Sequence, residues 1–286
     1  MSNSEVIKKI IGYLNSPSPL WENQITAAIS QYKWNELKGK KIGIDNYSIE
    51  KCLSLNSDFL SKSFPIINLR NNKHIQLISP SSSVENFYLE HGIKAVEVNA
   101  QNVDQTIFKL KCAFQILKLE DSVFEFIELL LKSIYIIESE DKEIDISYSH
   151  PSIPFSIFLS ICEDSSVISS LRVAESILHE SMHLKLTLLE NIIPLVYSNT
   201  GNVFFSPWRD EKRPAHGVLH GLFVFRGILD FFVLIKDYKE VKVAKGYIED
   251  RIVQIKKELA KINDFATCID LTRDGAILTA NLLPLN

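Results

Sequence analysis

The chain lacks several features that would place it quickly. It has no basic excess: 31 Lys and Arg stand against 35 Asp and Glu, a formal charge of −4. Neither nucleic acid nor an anionic membrane is therefore expected as a partner. Its four cysteines, Cys52, Cys112, Cys162 and Cys268, are far apart and form no C-x-x-C pair. This argues against a zinc site built on paired thiolates and against a disulfide framework. Cys162 and Cys268 sit in apolar runs and read as buried thiols, and a reducing cytoplasm fits the set. The N-terminal stretch MSNSEVIKKIIGYLNSPSP has no basic start, apolar run and small-residue cleavage site in succession. Internal repeats and low-complexity tracts are absent. The longest apolar segment, residues 218–235, contains His220, Arg226 and Asp230. It reads as a buried helix rather than a membrane span.

What is present is ample core material, 46% hydrophobic residues in 286, enough for one large domain or two small ones. Helical periodicity marks SEVIKKIIGYLN and ENQITAAISQYKWNELK, separated by the breaker SPSP. HIQLIS and KAVEVNA read as strands flanking a helix at SVENFYLEHG. Residues 102–134 read as helix with a break near Glu120-Asp121, and SIYIIES, EIDISYS and SIFLSICE as short strands. A long helix follows, capped by Asp164, Ser165 or Ser166 and ending before Pro194. Residues 194–217 read as a loop, of a length more often functional than idle. Three helices are expected after it. The expectation is an α+β protein, mostly helical, with a small mixed sheet and a zincin-like strand-plus-metal-helix core. Residues 1–100 form an N-terminal α/β portion of unknown role, and residues 101–286 a metal-binding catalytic portion.

The long helix contains His179, Glu180 and His183 in the order H-E-x-x-H, the signature of zinc metalloproteases. Residues four apart on a helix nearly eclipse, so both imidazoles can face one ion. Glu180 is rotated by about 100° from His179 and can reach a water on that ion. In a protease it would take that water's proton. A third ligand is needed. Glu190 lies seven residues after His183, about 10 Å further along the axis, too far to share its ion. It is assigned to solvent or a salt bridge. The metzincin extension is missing, because LKLTLLEN follows His183. Glu240 and other later carboxylates are too ambiguous to favour. His220, just inside the next helix, and His216, four residues earlier, are the remaining rivals. His74, His91 and His150 read as surface or structural.

SILHESMHLKL followed by SPWRDEKRPAHGVLHGLFVF resembles the H-E-x-x-H-containing peptide-modification proteins. The shared pattern is H-E-x-x-H, then W-R, R-P and G-x-L-H-G, over about residues 145–235, and SHPSIPFSIFLSI resembles that family's strand before the metal helix. Residues 1–100 have no counterpart in it. The resemblance implies an Fe(II)- and 2-oxoglutarate-dependent hydroxylase acting on a side-chain β-carbon of a ribosomally made precursor peptide, with O₂ as co-substrate. It implies His179, His183 and His220 as metal ligands. It also implies Arg209, beside Trp208, or Arg213 at the 2-oxoglutarate carboxylate, with Trp208 among the cofactor-binding residues; an arginine fork binds such a group bidentately. Glu180 is then a carboxylate beside the metal without an evident task. Two alternatives stand beside this reading. One is a zinc endopeptidase with Glu180 as general base. The other is a non-enzymatic peptide-binding module.

Overall fold

Burial of alternate and every-third-or-fourth apolar residues produces eight α-helices and two sheets among the described residues. The computed structural model describes residues 3–16, 19–39, 63–68, 74–78, 102–139, 145–161, 164–198 and 200–283, with isolated positions between 90 and 99. The protein is α+β and mostly helical, with a small mixed sheet. It packs as two units, residues 32–184 and residues 1–31 with 185–286. These units interleave along the chain, whereas the division at residue 100 was one of sequence character.

The 32–184 unit is built on a five-stranded sheet: β1 (Ser63–Asn68), β2 (His74–Ile78), β3 (Ser133–Ile136), β4 (Ser147–Tyr148) and β5 (Ser156–Leu159). The strand order is β1-β2-β3-β5-β4. β2, β3 and β5 run parallel, and β1 and β4 close the edges antiparallel. Every residue of β3 and β5 is buried, as an apolar run covered on both faces requires. Two helices, α3 (Val103–Leu117) and α4 (Asp121–Leu130), flank the predicted break at Glu120. The described residues of KAVEVNA form no regular strand, although Val96 N–H donates to Ile136 O at 2.9 Å and Glu138 N–H to Lys94 O at 2.7 Å. Most of SVENFYLEHG, and Cys162, lie outside the described residues.

The long helix, α5 (Val167–Glu190), runs 24 residues and crosses the boundary between units at 184/185. Ser166 is its cap, its Oγ accepting from Ser169 N–H at 3.0 Å. Asp164 accepts in turn from Ser166 N–H at 2.8 Å. The Lys109 ammonium donates to Ser169 Oγ and to Asp164 O, pinning α3 to this start.

The other unit holds α1 (Asn3–Leu14), the first part of α2 (Asn23–Gly39), and α6 (Ala215–Ile235), α7 (Lys245–Ala260) and α8 (Arg273–Leu282). α6 is the one described helix long and apolar enough to cross a membrane, but it is the core helix of this unit, with 61% of its apolar window buried. α7 and α8 pack on it. The expected 194–217 loop contains a hairpin, β6 (Phe204–Ser206) with β7 (Glu211–Arg213). The last predicted helix is shorter than its periodicity suggested. Thr272 restarts the chain as α8, its Oγ1 accepting from Gly275 N–H at 3.1 Å and donating to Pro194 O at 2.8 Å. Cys268, expected to be buried, is half-exposed in the turn before it.

Candidate metal centre

The H-E-x-x-H segment lies on α5 as its spacing demands. The His179 and His183 rings are 4.9 Å apart between centroids and inclined by 62°. Glu180 is buried at 3% exposure, and its two oxygens are separately engaged. Ser147 Oγ donates to Oε1 at 2.6 Å and Ser149 Oγ to Oε2 at 2.6 Å. Residues two apart on an extended chain share a face, so Ser147 of the edge strand β4 and Ser149 just beyond it bring both hydroxyls to one carboxylate. His179 Nε2 stands 3.9 Å from Glu180 Oε1. Burial, and then the Glu180 charge, raise the pKa of Tyr148 between the two serines. These serines were not recognised from sequence. The signal available was the S-Y-S alternation opposite a helix carrying a buried acid.

A second cluster forms in the other unit. His216 and His220 lie one turn apart on α6, ring centroids 4.2 Å from each other. Both Nε2 atoms meet one carboxylate oxygen, Glu190 Oε2, at 3.0 and 2.9 Å. Glu190, expected at solvent or in a salt bridge, is ion-paired, and its partners are both His216 and His220, the two rivals on spacing. Burial pushes the Glu190 carboxyl up, but the hydrogen bonds and charges of His216 and His220 outweigh it and hold the group down at about 2. The same hydrogen bond raises His216, against burial and the nearby Arg213 charge. Among the described residues, Glu190, His216 and His220 are the set of three ligand-type side chains whose donor atoms lie within 4.8 Å of one another.

The hairpin explains the W-R, R-P and G-x-L-H-G spacing. Its turn carries Asp210 at φ 52°, left-handed backbone that Asp tolerates. Trp208 lies flat on Phe225, centroids 5.1 Å apart and rings 6° from parallel. A Cβ on Gly221 would stand 2.4 Å from Trp208 Cε3, and one on Gly217 would stand 3.3 Å from Arg213 Nε. The two glycines, one turn apart on α6, thus make room for the tryptophan ring and the arginine side chain. Each follows a histidine of the cluster. Arg213 also faces Glu211, at 3.6 Å, while Arg209 is exposed on the turn. The structure therefore gathers Trp208, Arg213, His216, His220 and Glu190 within one unit, around α6; within the 32–184 unit it groups His179, Glu180 and His183 with Ser147 and Ser149. His150, read as structural, accepts from Ser152 N–H at 3.1 Å. Comparison of the chain with protein-family models and with curated proteins finds no match.

Proposed function

We propose that this protein is an Fe(II)- and 2-oxoglutarate-dependent hydroxylase that oxidises a side-chain β-carbon of a ribosomally made precursor peptide in the cytoplasm, on a zincin-like metal helix. The observation that supports this reading is the tie of Glu180: each of its oxygens accepts one serine hydroxyl at 2.6 Å, which suits a carboxylate that fixes the metal helix. Each oxygen keeps a second lone pair, so the choice of hydroxylase over endopeptidase rests on the joint W-R, R-P and G-x-L-H-G pattern. The available donors, imidazoles and a carboxylate, suit Fe(II). His220 is the histidine common to the set implied by resemblance, with His179 and His183, and to the cluster with Glu190 and His216. Arg213 places a guanidinium next to that cluster, where the distal carboxylate of 2-oxoglutarate would find a bidentate partner. When bound, iron and 2-oxoglutarate supply with O₂ the oxidising power for hydroxylation, yielding succinate and CO₂.

Anaerobic reconstitution with Fe(II) and 2-oxoglutarate tests this reading. The expected results are a metal-to-ligand charge-transfer band and, with O₂, a gain of one oxygen in a co-expressed precursor peptide. Cleavage of the peptide would establish the endopeptidase instead. Peptide binding that survives His179→Ala, with no metal retained, would establish the non-enzymatic module.

A further inference from the structure

We infer that Glu190, His216 and His220 form a divalent-metal site by themselves, a two-histidine-one-carboxylate set that no part of the H-E-x-x-H motif supplies. Two donors each about 2.1 Å from an ion and at right angles to one another are about 3.0 Å apart, against about 3.4 Å for tetrahedral angles. The His216 and His220 Nε2 atoms lie 3.0 and 2.9 Å from Glu190 Oε2, hydrogen-bond distances that match the edges of a coordination octahedron, and the three donor atoms lie within 4.8 Å of one another, so an ion can replace the shared protons with little movement. Helical spacing on α6 brings the two imidazoles to the same side, and Glu190, last residue of α5, meets them there. To take an ion, each imidazole carries its proton on Nδ1 and turns the Nε2 lone pair inward.

The exposure of the three side chains is graded. Glu190 and His220 are 17% and 11% exposed, and His216 is 60% exposed. Two ligands are thus anchored and the third stands at the open side, which leaves coordination positions facing solvent. A closed structural site would bury all of its ligands. Arg213 lies beside Gly217, next to His216, its Nε 3.3 Å from where a Cβ would sit. The Arg213 side chain is 41% exposed and its charge bears on His216; a guanidinium there favours a ligand that brings its own negative charge to the ion and a second carboxylate to the arginine. The ligand class is a chelating dicarboxylate such as a 2-keto diacid. This last point rests on the functional reading above; the metal site does not. His220 cannot serve this ion and the His179–His183 ion through one nitrogen, so the two ligand sets are alternatives.

Binding of Co(II) and Fe(II) to the full chain, followed anaerobically by calorimetry and by the Co(II) optical spectrum, separates them. One equivalent is expected to bind the unmodified protein. Glu190→Gln and His216→Ala should each weaken binding at least tenfold, while His74→Ala, an exposed histidine outside both ligand sets, stays within threefold. His216 is exposed, so its variant tests the site without disturbing the core, and circular dichroism checks the fold of both variants. No binding by the unmodified protein, or unchanged binding in folded Glu190→Gln and His216→Ala, overturns the inference. If the ion binds as expected and 2-oxoglutarate produces no spectral change, the metal site stands and the hydroxylase reading falls. If folded Glu190→Gln and His216→Ala keep both the metal and the 2-oxoglutarate band, the hydroxylase stands and this site falls.

Discussion

The ring of Trp208 occupies the space that any side chain on Gly221 would need, since a Cβ there would lie 2.4 Å from Trp208 Cε3. The indole cannot yield easily, because its ring is stacked on Phe225. Gly221→Ala is therefore expected to destabilise the protein by about 1–3 kcal/mol through overpacking. Gly12→Ala is the control. Its Cβ would meet nothing within 4 Å, and it lies in α1, so a gain of about 0.5–1 kcal/mol is expected there. Urea unfolding of the two variants should shift in opposite directions.

Replacing Ser147 and Ser149 together by Ala removes both donors to Glu180. A buried carboxylate that loses its hydrogen bonds costs about 1–3 kcal/mol or more. Glu180→Gln in the Ser147→Ala, Ser149→Ala background should recover part of that loss, because it removes the buried charge. A double-mutant cycle on thermal unfolding measures the coupling. For catalysis, Glu180→Gln alone should leave measurable peptide oxidation, where a protease would lose nearly all turnover.

Lys185 gives a pH signature. Its side chain is fully buried, its Nζ donates to Leu20 O at 2.7 Å and lies over the Tyr13 ring. Burial lowers its pKa from 10.5 to about 7, opposed only in part by the Glu22 charge. Between these two values the unfolded chain holds a proton that the folded chain does not. Stability therefore rises with pH through that window, by at most about 1.4 kcal/mol per pH unit from this group. Lys185→Met removes the contribution, so it should stabilise the protein more at pH 6 than at pH 9. Chemical denaturation at the two pH values checks the sign.

Thr272→Ala removes the N-cap of α8 together with the bond to Pro194 O. The expected loss is about 1–2 kcal/mol, with faster amide exchange in the first turn of α8.

Much of the architecture was legible because it is local. The period of α5, its Ser166 cap, the break between α3 and α4 and the eclipsed pair His179–His183 all follow from 3.6 residues per turn and from which side chains satisfy orphan N–H groups. The hairpin inside residues 194–217 was not legible, because strands of three residues carry too little alternation to register. Cys268 was misjudged because apolar neighbours in sequence do not guarantee burial in a turn.

The sequence by itself determined the helices, the motif spacing and the residue types available to a metal. Tertiary structure alone decided which of them meet. Glu190 and His220 are 30 residues apart and contact only because α5 ends where α6 begins to pack. Ser147 in the edge strand β4, and Ser149 just after it, reach Glu180 from more than 30 residues away. Helical spacing can be calculated from the chain alone, but the partner of a buried charge depends on which surfaces packing brings together.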